Sequence, residues 1–207
     1  MDPFLAFAIR ALQEEHRCHT VVLYGSRARG EENPESDYDL LAFRDDGPKI
    51  SDCREVNGRY LDAHIYPAKD LDGREKEFRQ LHHGQVLLDH EGVGARLLAR
   101  INEIMAGPPE PVAADQLQLR RVWYEKTLRR IERGDPEGNY RRAMLLMNAT
   151  EDYFDFRNLW VLGPRLSFKW LRENAPDSYA TFETALKPGA SAAELRALVD
   201  AVVIVDR

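Results

Sequence analysis

The dipeptide Asn57-Gly58 constrains the fold more than any other feature of the sequence. It joins two stretches of strand-forming residues, and both central positions of a two-residue type I′ turn require a positive φ, which Asn and Gly adopt readily. A β-hairpin is therefore predicted, and the turn fixes its register. In that register Asp62 lies opposite Cys53, and Tyr60 lies opposite Glu55.

The arm that follows this turn, residues 59–67, alternates between apolar and polar side chains. Successive side chains of a strand point to opposite faces, so alternation predicts one buried and one polar face. The apolar face carries Leu61, Ala63 and Ile65. The polar face carries Tyr60, Asp62, His64 and Tyr66. Asp62 is therefore predicted to be held on the polar face of a strand.

Two further acids begin a strand predicted over residues 37–44. Asp37 and Asp39 are two positions apart, so their side chains share a face and their Cα atoms lie roughly 6.7 Å apart. Carboxylates at this spacing can hold two divalent ions roughly 3.5–4 Å apart, as in two-metal phosphoryl-transfer sites. An oxygen-only ligand set favours Mg²⁺ or Mn²⁺ over zinc. The sequence predicts a metal site here, which Asp62 would join if the two strands are neighbours.

The remaining elements are predicted from apolar periodicity and from proline and glycine positions. In the N-terminal half they are helices over 2–16 (with Asp2 as N-cap), 69–81 and 94–105, strands over 19–24 and 85–89, and a loop over 25–36. The Pro-rich segment 107–111 is the predicted domain boundary. Beyond it, helices are predicted over 113–133, 136–160, 165–174, 176–186 and 191–205. Ser191 and Glu194 form the signature of a capping box at the start of the last helix.

These patterns predict an α+β N-terminal domain, residues 1–107, with a short mixed sheet flanked by helices, and an all-α helical bundle over residues 108–207. The net charge is −6, whereas proteins that grip long nucleic acid normally carry a basic footprint. A small or cationic partner is expected instead of a long nucleic acid. The sequence has no run of roughly 18 apolar residues and no signal-peptide pattern, and Cys18 and Cys53 form no disulfide framework. A cytoplasmic protein without membrane contact is expected.

One combination of these motifs is similar to a known family. Gly25-Ser26, then Asp37-Tyr38-Asp39 after ten intervening residues, and Asp62 on a following strand resemble the DNA polymerase beta-like nucleotidyltransferase superfamily. The likeness is greatest to its small bacterial members, the minimal and the aminoglycoside nucleotidyltransferases, and it covers residues 20–66. It implies that Asp37, Asp39 and Asp62 are catalytic and ligate two Mg²⁺ ions, with Asp62 as a candidate base near the acceptor hydroxyl. It also implies that Gly25 and Ser26 contact the triphosphate of a nucleotide.

Several polar residues have two interpretations. Arg27 and Arg29 suit phosphate binding, but they could equally pair with acids of their own loop, which are Glu31, Glu32 and Glu35. Glu55 could replace Asp62 if the hairpin register differs. His64 is interpreted as a hydrogen-bonded structural histidine, and His82 and His83 as solvated.

The helical half offers candidates with less support. Glu151, Asp152 and Asp155 either form a solvated helix face or bind a cationic acceptor, as acids do in the helical part of the aminoglycoside enzymes. Lys126 and Lys169 could reach a triphosphate. The resemblance makes this half the expected acceptor-binding domain.

The predicted function is an enzyme that moves a nucleoside monophosphate, AMP from ATP, to a hydroxyl of a small molecule, with an aminoglycoside-like compound as one candidate acceptor. One alternative is a protein-AMPylating antitoxin of the minimal nucleotidyltransferase type. Another is a nucleotide-binding sensor without turnover. A homodimer is compatible with the sequence, although no residue pattern demonstrates one.

Overall fold

A computed structural model describes residues 2–71 and 73–204 of the chain. The chain divides into two compact units, Met1–Gly107 and Pro108–Arg207. The first unit contains a five-stranded sheet, and the second consists of helices in its described part. The predicted fold class, α+β followed by all-α, is confirmed.

The sheet of the first unit has the strand order β3-β4-β2-β1-β5. Its strands are β1 (Thr20–Leu23), β2 (Tyr38–Arg44), β3 (Ile50–Val56), β4 (Arg59–Pro67) and β5 (Gln85–Leu88). Strands β2 and β4 pair in parallel, and the other neighbours pair antiparallel, so the sheet is mixed.

The β3–β4 hairpin has the predicted register. Asn57 and Gly58 have φ values of 52° and 74°, as a type I′ turn requires. Cys53 pairs with Asp62, and Glu55 pairs with Tyr60. The apolar positions of β4 are at most 1% exposed, which confirms the predicted buried face.

Helices cover both faces of the sheet. They are α1 (Pro3–His16), a four-residue α2 (Gly25–Ala28) and α3 (Val93–Ala106). Helix α1 is capped by the Asp2 carboxylate, which accepts from the Phe4 amide, as predicted. It packs on one face of the sheet, whereas α3 packs on the other with a 3₁₀ segment. Strand β2 is consequently buried on both faces.

The helix predicted over 69–81 is wrong. The chain forms two 3₁₀ segments instead, Ala68–Asp70 and Glu75–Leu81, and residue 72 lies outside the described residues. Gly73 adopts a φ of 76°, which stops a right-handed helix. Phe78 has non-helical dihedral angles and is only 1% exposed, because its ring is packed against the sheet.

The second unit consists of α4 (Ala114–Ile131), α5 (Pro136–Phe156), α6 (Pro164–Asn174), α7 (Pro176–Ala185) and α8 (Ala192–Val203). Proline occupies the first position of three of these helices, where its missing N–H costs nothing. The Ser191–Glu194 capping box is present. Helix α5 ends before the predicted residue 160, and Asn158 has a φ of 54°. Residue 205, the predicted end of α8, lies outside the described residues. In the described part, every helix is too short or too polar to cross a membrane.

Candidate active site

The three predicted acids lie at neighbouring positions of the sheet. Asp39 of β2 and Asp62 of β4 are directly paired in the parallel register. Asp37 lies one residue before β2. The condition that the two strands be neighbours is therefore met, and Glu55 is not needed as a substitute.

The electrostatics of this group are those of acids that share a small volume. The pKa of Asp39 is raised, first by burial and then by the charges of Asp62 and Asp37, while Arg29 and His64 lower it by less. Among residues 2–71 and 73–204, His64 lies 3.5 Å from Asp62, whereas neither Asp37 nor Asp39 forms an ion pair. Among the described residues, no lysine or arginine therefore balances the charge of these three acids by direct contact.

The Gly25-Ser26 turn lies directly against this group. The Tyr24 amide donates to the Asp39 carbonyl at 3.0 Å. Gly25 has a φ of 72°, and a Cβ added to it would lie 2.0 Å from Asp39 Oδ2. No other residue fits this position, because any side chain would displace the Asp39 carboxylate. The predicted phosphate turn and the predicted metal ligand thus touch.

The two loop arginines make different contacts. Arg29 is mostly buried and pairs with Glu31 at 2.9 Å, which is the predicted loop interaction. Arg27 pairs with no acid of the loop among the described residues. Its guanidinium donates to the carbonyls of Ser36 and Asp37. A phosphate contact stays a prediction for both.

Asp62 has neighbours that the sequence did not identify as functional. Cys53 Sγ donates to Asp62 Oδ1 at 2.9 Å, and this hydrogen bond is the main cause that raises the Cys53 pKa to about 11. His64 Nε2 lies 3.5 Å from the same oxygen. The other nitrogen of His64, Nδ1, is 2.8 Å from Ser51 Oγ, as expected for a structural histidine. The hairpin register predicts the Cys53–Asp62 pair, although residue types alone do not signal its hydrogen bond.

A cavity of about 510 Å³ opens beside these residues. It is lined by Asp37, Cys53, Arg54, Glu55, Tyr60, Leu61 and Asp62. The Tyr60 side chain is exposed, and its residue retains 54% of its accessible surface. Two of the three candidate acids therefore face a space that is large enough for a small molecule.

A second group of possible ligands lies elsewhere in the first unit. Among the described residues, Glu15, His16 and Asp52 have ligand atoms within 4.8 Å of one another, whereas Asp37, Asp39 and Asp62 do not form so tight a group. Arg54 donates to Glu15 and pairs with Asp52 at 3.1 Å. A guanidinium already balances these acids, so the group is an ion-pair network.

The acids of the helical unit differ from both interpretations of the sequence. Asp152 is 8% exposed and accepts from Arg120 Nη1 at 2.7 Å and from the Tyr124 hydroxyl at 2.6 Å. Arg120 also binds Asp155 at 2.6 Å. The prediction of a solvated or acceptor-binding face is therefore wrong for Asp152, because the half-buried Arg120 and the buried Tyr124 use its two oxygens.

The other candidates are distributed over both units. His82 is half-buried and its Nδ1 is 2.9 Å from Asn102 Oδ1 in a solvent-exposed contact, whereas His83 is exposed. Lys126 lines a separate cavity of about 430 Å³ within the helical unit. Lys169 has an interaction partner within the chain.

Residues 8–91 match the family described as Polymerase beta, Nucleotidyltransferase. This segment contains the Gly25-Ser26 turn and all three candidate acids, so the resemblance is confirmed over this part of the chain. The match supports a general role in nucleotidyl transfer. No curated protein matches the sequence.

One solved structure is similar over most of the chain. It is a nucleotidyltransferase-like protein from Exiguobacterium sibiricum 255-15, with 12% sequence identity and a TM-score of 0.44. The alignment covers 96% of this chain and 73% of that chain.

Proposed function

We propose that this protein is a Mg²⁺-dependent nucleotidyltransferase that moves a nucleoside monophosphate, AMP from ATP, to a hydroxyl of a small molecule. The observation that carries the proposal is the position of Asp39. It pairs with Asp62 across β2 and β4 and lies in contact range of the Gly25 turn. A metal-binding acid pair and a turn open to phosphate are the two halves of a nucleotidyl-transfer site.

Asp37, Asp39 and Asp62 are the proposed Mg²⁺ ligands, and Mn²⁺ would serve equally. Their donor set fits the ions because it consists of oxygen alone. Burial and then the charges of Asp62 and Asp37 raise the Asp39 pKa, and a divalent cation would offset both effects. When bound, the ions neutralise the triphosphate and lower the pKa of the acceptor hydroxyl.

Gly25, Ser26 and Arg29 are the proposed triphosphate contacts. Gly25 leaves the backbone uncovered beside Asp39, and Ser26 offers a backbone N–H and a hydroxyl. Arg29 acts on Asp39 electrostatically, which places its positive charge near the same region. Its guanidinium has donors beyond the one that binds Glu31.

Asp62 is the proposed base. Cys53 and His64 both approach Oδ1 of Asp62, which leaves Oδ2 to accept a proton. In the proposed step the acceptor O–H bond breaks and its proton moves to Asp62 Oδ2. The acceptor oxygen bonds to the α-phosphorus, and the bond from that phosphorus to the bridging oxygen breaks, which releases pyrophosphate.

The cavity beside Asp62 is the proposed acceptor site, and its charge favours a cationic acceptor. Three of its lining residues are acids: Asp37, Glu55 and Asp62. Its arginine, Arg54, already pairs with Glu15 and Asp52. The exposed ring of Tyr60 offers a flat surface for a sugar ring. An aminoglycoside-like compound has these properties, and the helical unit, residues 108–207, is proposed on the resemblance alone to help bind it.

Incubation with α-labelled ATP, Mg²⁺ and a panel of aminoglycosides tests the proposal. Label on a small molecule, with release of pyrophosphate, is expected, and its loss on chelation of the metal would identify a metal-dependent step. Label on a protein would instead favour the AMPylating alternative. ATP binding without pyrophosphate release would favour a sensor, and either of these results overturns the proposal.

A further inference from the structure

The contacts of Arg27 connect the two ends of the loop that precedes β2. Arg27 belongs to α2, the same short helix that begins with Gly25 and Ser26. Its Nε donates to the carbonyls of Ser36 and Asp37, both at 3.1 Å, and its Nη2 donates to the Ser36 carbonyl at 2.6 Å. One side chain therefore spans from the start of the loop to its end.

The platform beneath this guanidinium is rigid. Arg27 Cζ lies 3.8 Å from the centre of the Tyr38 ring, and Tyr38 is only 1% exposed. The Tyr38 hydroxyl donates to Asp2 and accepts from Arg59 Nη1 at 3.0 Å. A ring that is buried and hydrogen-bonded at its far end has little freedom to move, so the stacked guanidinium is held as well.

Both ends of the loop belong to the proposed site. The Gly25-Ser26 turn is the proposed phosphate contact, and Asp37 is a proposed metal ligand. The start of the loop is attached to α2 by its backbone, since the Glu31 amide donates to the Ser26 carbonyl at 3.0 Å. The end of the loop is shaped by short-range contacts between Asn33 and Ser36, and the Arg27 hydrogen bonds attach this end to α2.

We propose that Arg27 is a positioning residue, which fixes the Asp37 backbone relative to the Gly25-Ser26 turn and so sets the geometry of the metal site. This inference rests on the proposed function, since it assumes that Asp37 is a ligand. It gives Arg27 a role different from the phosphate contact that its position in the loop suggests. The Nε and Nη2 donors of Arg27 are used by backbone carbonyls, and the proposed triphosphate contact is therefore assigned to Arg29.

The role requires a guanidinium in particular. Its planar fork serves two carbonyls at once while its face stacks on a ring, and an ammonium group has neither the fork nor the flat face. Arg27→Lys keeps the charge and loses the geometry. A phosphate contact would tolerate that change better than a clamp does.

Binding of Mn²⁺ alone, followed by its electron paramagnetic resonance signal in the absence of nucleotide, tests the inference on the full chain. Arg27→Lys and Arg27→Gln are expected to weaken Mn²⁺ binding roughly tenfold, the low end for residues that orient a metal ligand. Arg59→Gln is the matched control. Arg59 contacts the same tyrosine but neither loop carbonyl, and Tyr38 keeps its hydrogen bond to Asp2 without it. The Mn²⁺ affinity of Arg59→Gln is therefore expected to change less than about twofold.

Thermal unfolding of each variant is followed by circular dichroism, and Mn²⁺ binding is then measured at a temperature at which every variant is folded. Millimolar methylguanidine is expected to restore part of the Mn²⁺ affinity of Arg27→Gln, which a general loss of stability would not allow. Wild-type affinity in both Arg27 variants overturns the inference and leaves the proposed function standing. Absence of Mn²⁺ binding to the wild-type protein overturns the proposed metal site, and the inference with it.

Discussion

Each unit of this protein contains a group of partly buried acids. The two groups differ in the hydrogen-bond donors and charges next to their carboxylates. In the helical unit, Asp152 and Asp155 share Arg120, and the Tyr124 hydroxyl donates to Asp152. In the N-terminal unit, the charges of Asp62 and Asp37 act on Asp39 more strongly than those of Arg29 and His64. Burial is the first cause that raises the pKa at both Asp152 and Asp39.

The next causes have opposite signs. At Asp152 the Tyr124 hydrogen bond and the Arg120 charge lower the pKa, whereas at Asp39 the charges of Asp62 and Asp37 raise it further. Removal of a buried acid that has its own partners is destabilising, because those partners are left buried and unpaired. An acid whose neighbours are other acids costs free energy unless a cation arrives, and such groups concentrate at functional sites. This difference separates a structural acid from a candidate ligand.

The largest effect is expected from Asp39→Asn. This change removes a proposed metal ligand while keeping its shape, so nucleotidyl transfer should fall by at least about 1,000-fold, which corresponds to several kcal/mol of metal assistance. Release of pyrophosphate from ATP measures it, with circular dichroism to verify the fold. Asp46→Asn, an exposed acid of the same unit, is the control and should retain activity. Full activity of Asp39→Asn would refute the site.

The second prediction uses two glycines with the same backbone conformation. Gly25 and Gly30 have φ values of 72° and 68°, so alanine costs each roughly 1–2 kcal/mol of backbone strain. Only at Gly25 would the new Cβ strike Asp39, whereas nothing lies within 4 Å at Gly30. Gly25→Ala should therefore lower transfer about 100-fold, and Gly30→Ala should lower stability alone. Equal activities in the two variants would show that contact with Asp39 is unimportant.

The third prediction concerns the acids of the helical unit, Asp152 and Asp155. Asp152→Ala removes the acceptor of the Tyr124 hydroxyl, which is 0% exposed, and one of the two acids that bind Arg120. The free energy of unfolding should fall by about 2–3 kcal/mol, as urea denaturation would measure. Glu151→Ala, at the neighbouring exposed position of α5, should change it by less than about 0.5 kcal/mol. A similar loss in both variants would mean that the contacts of Asp152 with Tyr124 and Arg120 do not account for it.

The sequence predicted the parts of this comparison that depend on local pattern. Asn57-Gly58 fixed the hairpin register, and alternation placed Asp62 on the polar face of its strand. The sequence did not predict that β2 and β4 are neighbours, and it gave this only as a condition for Asp62 to join the metal site. Pairing between strands that are not consecutive depends on the packing of the whole sheet. The Arg120–Asp152 pair joins two helices across 32 residues, and no local signal specifies which arginine meets which acid. The helix predicted at 69–81 failed because Gly73 and the buried Phe78 override its periodicity.

The smallest expected effect concerns stability and not activity. It tests directly whether Asp39 lacks a stabilising partner in the folded protein. The Asp39 pKa is raised in the folded protein, so the ionised side chain costs free energy of folding at pH values above its unfolded pKa. That cost disappears as the pH falls through the folded pKa, where Asp39 takes up its proton.

Without metal, Asp39→Asn should therefore be more stable than the wild-type protein at neutral pH, and the difference should shrink in acid. Added Mg²⁺ should reduce the difference by stabilising the wild-type protein alone, because a ligand that binds only the folded state raises its stability. Urea denaturation at neutral and acidic pH, with and without Mg²⁺, measures each of these changes. If Asp39→Asn is the less stable protein at neutral pH, then Asp39 has a stabilising partner, and the contrast with Asp152 fails.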